Sequence, residues 1–547
     1  MTASFTDQSA LPELAGPFAP GALAGVRRSR LITALLRAWP ALLPALLFLP
    51  VVLSPPLNHD VAAVLDFSQR WLAGERLYAD LIDVNPPLIF VLTLIPAWIA
   101  SVTPIGPIAA VQACVIAYGM ACWWLTLRVR DRGGERPVER AFLDVLPALF
   151  LLAAGYDFGQ REHLMAVGAL PYLLCAARRA AGARAPCGRI AVALVAATGF
   201  ALKPHFLAIP ALVEAAVVLG RAPRGPLLRG LLGGLGASLR DPVPWAMAAV
   251  WLCYLASFPI VFPEYFGSVV PQVWDFYLSI GGLTVTEVLL IPRVATVLCL
   301  LLPLLALTLR LRGSAAALPR MLGRAAVGAL ASALAQHKGW SYHIVPIELF
   351  ACALAAVLAS RWLDGLRAAR RGQAYPVAAV LAGLFALYSV SNGEAPWKEL
   401  GYGGSQVDGL TRLLQQRATG ERVLVLSPGI SPIYPALTYL GAHQTLRTMN
   451  MWLLQGAYQR CLPGGRRYRE VWEMGRPEFF VYRTVAEDFA RAPPAVVVVD
   501  KQPGIPWCGS EFDFVAYFTR HPLFAEVWSH YRLAAEWDRY RVYTRKD

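Results

Sequence analysis

Charge is scarce in this 547-residue chain: Asp, Glu, Lys and Arg make up 16% of it, against 56% hydrophobic residues. A soluble protein so poor in charge would expose large apolar patches and aggregate, so the bilayer is the expected solvent. Absent too is any basic stripe interleaved with stacking aromatics, and any nucleic-acid-binding motif. That excludes nucleic acid as a partner despite a net charge of +14. Cysteine is sparse, nine in all, without metal-ligand spacing. Cys114, Cys122, Cys175, Cys253, Cys299 and Cys352 lie within apolar runs and Cys187 in a basic loop, which reads as small core residues. Cys461 and Cys508 fall in the polar C-terminal part, where a disulfide is open to them if that part lies outside the cytoplasm. A cleavable signal peptide is not expected. Residues 1–30 are polar and end in Arg27, Arg28 and Arg30, and the run from Ala38 to Leu53 ends in Pro55-Pro56 without a small-x-small cleavage site. That run reads as a first membrane helix following a cytoplasmic tail.

What the chain does have is apolar runs, with a mean hydropathy of +0.47. They recur at about 38–54, 86–103, 105–127, 141–155, 164–177, 190–202, 206–220, 243–263, 288–309, 325–336, 344–360 and 375–391. Between them stand basic clusters: Arg128/Arg130/Arg132/Arg136/Arg140, Arg178/Arg179/Arg184/Arg189, Arg221/Arg224/Arg229/Arg240, Arg310/Arg312/Arg320/Arg324 and Arg361/Arg367/Arg370/Arg371. If every run crossed the membrane, all of these would face outward, inverting the positive-inside rule. Treating 86–103 as an in-plane or re-entrant helix, bounded by Pro86-Pro87 and Pro104, returns all five clusters to the cytoplasm. The expected fold is therefore an all-α polytopic membrane bundle of about 11 transmembrane helices, with amphipathic juxtamembrane helices in the first outer loop. Residues 1–30 form the cytoplasmic tail, 31–391 the transmembrane domain, and 392–547 a small C-terminal α/β extracytoplasmic domain, with strand-like runs at Val423–Leu426 and Val496–Val499.

The polar motifs then share one face. Asn58-His59-Asp60 opens an amphipathic helix in which Val61, Val64, Leu65, Trp71 and Leu72 follow helical spacing, while Asp66, Gln69 and Arg70 share another side. Asp60 reads as the N-cap of this helix, as a base that deprotonates a hydroxyl, or as both. The second motif, Tyr156-Asp157-Phe158-Gly159-Gln160-Arg161-Glu162-His163, is costly between two spans unless solvated or working; its bland reading is a turn with Arg161 paired to Asp157 or Glu162. Lys203-Pro204-His205 interrupts an apolar stretch, where the lysine either snorkels or binds. Gln336-His337-Lys338-Gly339-Trp340-Ser341-Tyr342-His343 is the fourth, its Trp340 and Tyr342 also fitting an interface belt; Arg293, at the outer end of another span, joins the group. Lys203, Arg161, Lys338, Arg293, His205 and His343 thus gather cations at the outer lip, suited to a phosphate at headgroup depth. The histidines and Glu162 leave room for a divalent metal, but no pair has familiar ligand spacing and no cofactor is assigned.

The His-Asp pair followed by "LAGERLYADLIDVNPPLIFVL" resembles the GT-C superfamily of integral-membrane glycosyltransferases. It is most similar to the bacterial group resembling dolichyl-phosphate-mannose protein mannosyltransferases and lipid A aminoarabinose transferases. "YDFGQREHL", "LKPH" and "QHKGWSYH" resemble the later loops of bacterial members, so the resemblance spans roughly residues 35–390. It implies a sugar donor on a polyprenyl phosphate, an outward active site and a cell-envelope acceptor that is a glycan, lipid or protein. The first-loop base matches Asp60, and a second acidic residue matches Asp157 or Glu162. Lys203, Arg161, Lys338, His343, His205 and Arg293 would serve the donor phosphate. His59, Tyr78, Asn85, His163, His337, Trp340 and Tyr342 would line the donor and acceptor pocket. Where many relatives carry two adjacent acids, His59 precedes a single Asp60, which argues against a metal-assisted version. The expected location is a bacterial inner membrane, with the site and the C-terminal domain on the periplasmic side. A flippase or transporter remains the alternative outside glycosyl transfer, alongside a non-enzymatic assembly role; a polymerase or ligase of diphosphate-linked glycans is the neighbouring enzyme class.

Overall fold

The computed structural model describes residues 38–183, 186–223, 226–278, 280–366, 373–392 and 401–546. The N-terminal tail and Arg184, Arg224, Arg367, Arg370 and Arg371 lie outside them. Among the described residues six helices are long and apolar enough to cross a membrane: Pro107–Val129, Pro204–Arg221, Pro242–Val261, Pro292–Arg310, Ser341–Gly365 and Ala374–Ser391. Leu88–Val102 and Arg189–Ala201 are shorter apolar helices. Pro137–Leu152, Arg161–Ala180 and Ala317–Gln336 complete the bundle. Arg161–Ala180 is buried along nearly its whole length and packs against Pro107–Val129, Arg189–Ala201, Ala208–Arg221, Ala317–Gln336 and Ser341–Gly365. A helix surrounded by protein instead of lipid can trade leucine for alanine and polar side chains, which is why its hydropathy falls below that of the outer helices.

One end of the bundle collects the arginines. Arg136 donates to the Arg361 carbonyl (3.1 Å), Arg361 pairs with Glu139 (2.5 Å), and Arg178 donates to the Val129 carbonyl (3.0 Å). Arg361 also reaches the Ala315 carbonyl, while Arg221 reaches the Arg179 carbonyl (3.1 Å) and shares Asp241 with Arg179. Segments from all five basic clusters therefore meet at one end, as the arginine pattern predicts. The opposite end holds the first loop. Leu88–Val102 begins beside it and is about 22 Å long, short of the ~30 Å hydrocarbon core. The next helix starts at Pro107, and its Gln112 donates to the Val52 carbonyl (2.7 Å) at the end of the Leu49–Leu53 helix.

The C-terminal region carries a five-stranded mixed sheet in the order β2-β1-β3-β5-β4, with β1 Arg422–Leu426, β2 His443–Gln444, β3 Val496–Asp500, β4 Tyr531–Trp537 and β5 Tyr540–Arg545. β1 is parallel to β2 and β3; β5 is antiparallel to β3 and β4. Alternation along the central strands splits the burial. Val423, Val425, Val496 and Val498 join the core that is continuous with the bundle, and Leu424, Leu426, Val497 and Val499 join a second core around Phe489 and Tyr517. Cys461 and Cys508 form a disulfide.

The His59–Leu72 helix was expected to turn Asp66 and Arg70 toward water, and here the structure differs. Both are 2% exposed because the C-terminal region covers them. Asp66 accepts from the Tyr434 hydroxyl (2.9 Å) and meets His443 Nδ1 (2.5 Å). Arg70 pairs with Glu75 (2.7 Å) and donates to the Leu446 carbonyl (3.0 Å), and Arg422 closes on the same Glu75 (3.0 Å). The first loop and the sheet are thus held as one unit. Asp66→Ala would strand a buried Tyr434 hydroxyl, so it should destabilise this contact by about 2–4 kcal/mol, read as a lower unfolding temperature in detergent and faster proteolytic release of the C-terminal region.

Candidate functional site

Asn58, not Asp60, caps the first-loop helix: its side-chain oxygen accepts from the backbone N–H groups of Asp60 (3.0 Å) and Val61 (3.4 Å). The helix begins two residues earlier than the N-cap reading of Asp60 required, which frees the Asp60 carboxylate. That carboxylate faces the start of Arg161–Ala180. Gln160 Nε2 donates to both Asp60 Oδ2 (3.0 Å) and Asn58 Oδ1 (2.8 Å), and Arg161 Nη2 lies 3.9 Å from Asp60 Oδ2. Gly159, with φ +84°, makes the turn that brings Gln160 and Arg161 into place, a backbone conformation that side-chain-bearing residues rarely adopt. His59 Nε2 stands 3.7 Å from Asp60 Oδ1 while its Nδ1 meets the Tyr156 hydroxyl (3.1 Å).

A cavity of about 390 Å³ opens over this carboxylate. The first loop contributes His59, Asp60, Asp83 and Asn85, the bundle Arg161, Tyr277, Trp340 and Tyr342, and the C-terminal region Ser431, Asn450 and Trp452. Two acids, several aromatics and, among the described residues, a single arginine on a mostly apolar wall are what binding a sugar ring beside an anion requires. The two carboxylates are set apart electrostatically. Burial pushes Asp60 up, but His59, Arg161, the Gln160 amide and Lys203 outweigh it and hold the carboxyl below its ordinary range. Burial raises Asp83, in spite of its hydrogen bonds from the Asn85 backbone (2.8 Å) and side chain (2.6 Å).

The remaining predicted residues separate into layers. Lys203 stands behind the cavity wall: its ammonium bonds Glu162 Oε1 (2.6 Å) and Gln336 Oε1 (2.8 Å) and lies 5.3 Å from the Tyr342 ring centre. Burial, aided by Arg161, pushes Lys203 down to about 8 against the pull of Glu162. His343 Nε2 approaches Glu162 to 3.9 Å, and neither its ring nitrogens nor His205 Nε2, Glu162 Oε2 or Arg161 Nη1 has a hydrogen-bond partner among the described residues. This buried polar cluster backs Asp60 and Arg161 directly. Asp157 meets Asn58 Nδ2 (3.4 Å), and so orients the cap.

Five predicted residues serve the scaffold and are absent from the cavity lining. Lys338 donates to the carbonyls of Tyr277 (2.7 Å) and Ile280, capping the turn that carries Tyr277 into the cavity. His337 Nε2 meets the Leu278 carbonyl (3.0 Å) on the same turn, and Gly339 with φ +63° completes the bend. Arg293 makes a two-pronged pair with Glu348 (2.8 and 2.6 Å) within the bundle. His163 is fully buried between the Gly159 N–H (3.1 Å) and the Phe150 carbonyl (3.0 Å). Tyr78 is buried among Phe90, Phe262 and Tyr265, and its hydroxyl donates to the Asn85 carbonyl (2.5 Å), so it positions the loop of Asp83. Asp83, Gln160, Tyr277 and the C-terminal wall are additions that sequence reasoning did not single out. Among the described residues no group of three or more His, Cys, Asp or Glu side chains could hold a metal ion.

No protein-family model and no curated protein sequence matches the chain. A solved structure does: ArnT from Cupriavidus metallidurans bound to undecaprenyl phosphate, with a TM-score of 0.50 over 93% of this chain and 97% of that one, at 14% identity. The chain has the ArnT fold. At that identity the likeness speaks for architecture: a multi-pass helical membrane protein with a small C-terminal sheet. It agrees with the GT-C resemblance carried by the first-loop string. The side chains of the cavity have to be read by their own geometry.

Proposed function

We propose that the protein transfers a sugar from a polyprenyl-phosphate donor to a hydroxyl of a cell-envelope acceptor, with Asp60 as general base. The observation that carries the reading is Asp60 itself: a carboxylate kept ionised at the head of an aromatic-walled cavity, 3.9 Å from Arg161, which lines it. The ArnT fold, solved elsewhere with undecaprenyl phosphate bound, supports a lipid-phosphate donor. In the proposed step Asp60 takes the acceptor's hydroxyl proton as that oxygen forms a bond to the anomeric carbon. The bond from that carbon to the phosphate oxygen breaks, and the polyprenyl phosphate leaves with the electron pair and its negative charge. Arg161 meets that charge, with Lys203 behind it. One displacement inverts the anomeric centre. Trp340, Tyr342, Tyr277 and Trp452 offer faces for the sugar, and Ser431 and Asn450 polar contacts for the acceptor.

The same reading sets the topology. With Leu88–Val102 held at the outer face, eleven helices cross, the basic end is cytoplasmic, and the cavity and C-terminal sheet are periplasmic. In proteoliposomes, acceptor-dependent release of polyprenyl phosphate from a set of polyprenyl-phosphate sugars tests the reaction; no release with any donor would refute it.

The pH profile follows from the two shifts. Asp60 must be unprotonated, and its lowered carboxyl places the acid limb below the ordinary ~4 of a carboxylate. Lys203 loses its proton as pH rises through about 8, removing a positive charge behind the departing phosphate, so the rate should fall there. Lys203→Arg, which stays charged, should move the alkaline limb up by at least ~2 pH units. An alkaline limb unmoved by that substitution would remove Lys203 from the account.

A further inference from the structure

A cavity larger than the one over Asp60 lies at the other end of the molecule. It encloses about 930 Å³ beside arginines of four of the five basic clusters, between the ends of helices Arg161–Ala180, Pro292–Arg310 and Ser341–Gly365. Its inner wall is apolar, with Leu143, Leu174, Leu307 and Leu358. Its rim holds five arginines against three carboxylates. Two of those carboxylates are already neutralised within the protein: Glu135 by Arg130 (2.6 Å) and Glu139 by Arg361 (2.5 Å). Arg136, Arg178 and Arg310 share the rim with the third carboxylate, Asp131. Arg136 and Arg178 are steadied through carbonyls, and Arg310 makes no hydrogen bond or ion pair with any described residue.

We infer that this cavity binds an anionic glycerophospholipid of the leaflet at the basic end, its phosphate held by Arg310, Arg178 and Arg136 and an acyl chain laid along the leucine wall. A soluble anion would satisfy the arginines but leave the leucines facing water, and a zwitterionic lipid would bring a cation to a rim with excess positive charge. A phosphodiester lipid satisfies both halves of the site, as basic pockets between membrane helices do. The leaflet also supplies it continuously. The site lies opposite the Asp60 cavity and is independent of glycosyl transfer.

Native mass spectrometry of the intact protein in detergent, titrated with phosphatidylglycerol or phosphatidylcholine of equal chain length, tests this. One tightly held phosphatidylglycerol is expected, with at least about tenfold preference over phosphatidylcholine. Arg310→Gln removes a phosphate contact and Leu307→Trp fills the chain groove; each should weaken that adduct about tenfold, while Arg312→Gln, outside the cavity, should not. Arg310 and Leu307 are both exposed, so folding should survive, and an unchanged unfolding temperature in detergent checks it. Equal binding of the two lipids, or phosphatidylglycerol binding indifferent to both variants, would overturn the assignment. So would displacement of phosphatidylglycerol by a stoichiometric amount of undecaprenyl phosphate, which would make the lipid carrier the occupant.

Discussion

Asp60→Asn should lower the transfer rate by about 10²–10⁴-fold, the usual contribution of a positioned general base, with little change in unfolding temperature. The substitution keeps the shape of the side chain and an oxygen able to accept from Gln160, so the cap formed by Asn58 and the turn at Gly159 should persist. What is lost is the ability to take a proton. The loss should therefore fall on kcat, with the apparent affinity for the donor nearly unchanged. Asp60→Glu pushes the carboxylate one methylene further into the cavity and should retain a fraction of the rate. Initial rates in proteoliposomes for the three forms decide the matter; an Asn variant with near wild-type kcat would remove Asp60 from the chemistry.

Arg161→Ala should cost about 10²–10³-fold in kcat, comparable to removing one preorganised donor from a developing anion. Arg161 is 5% exposed, lines the cavity, and has a guanidinium nitrogen with no protein partner among the described residues, which is the state of a donor waiting for a ligand. A second signature separates a role in catalysis from a merely structural one. Arg161 helps to hold the Asp60 carboxyl down, so its removal should let that group rise and shift the acid limb of the pH profile upward. Arg161→Lys keeps a charge but not the fork, and should restore the acid limb better than it restores the rate. Full activity in Arg161→Ala, with an unmoved acid limb, would contradict both roles.

How much of this was legible beforehand depended on where each residue's partner lies. The segregation of the arginines was readable because topology is written in short loops, and the contacts among Arg136, Arg361, Arg178 and Arg221 repeat it in three dimensions. Asp60, Arg161, Trp340 and Tyr342 stood out because polar islands between apolar runs are few. Lys338 and Arg293 look the same in sequence as a phosphate ligand; only their distant partners, the carbonyls of Tyr277 and Ile280 for one and Glu348 for the other, give them other work. Asp66 and Arg70 read as a solvated helix face because the surface that buries them is supplied some 370 residues later. Asp83 was hidden for a related reason. It sits in the same quoted string as Asn85, but its place across the cavity from Asp60 depends on the buried Tyr78 and on the Ile82 contact with the Arg447 carbonyl (2.5 Å).

The central claim is that a lipid phosphate and Asp60 share one cavity. An experimental structure of the protein with bound undecaprenyl phosphate tests it most directly. The account predicts phosphate density within hydrogen-bond reach of Arg161 and on the Asp60 side of Tyr342, with the prenyl chain leaving toward the bilayer. Phosphate density held instead by Lys338 or Arg293, or found only among the arginines of the opposite end, would contradict it.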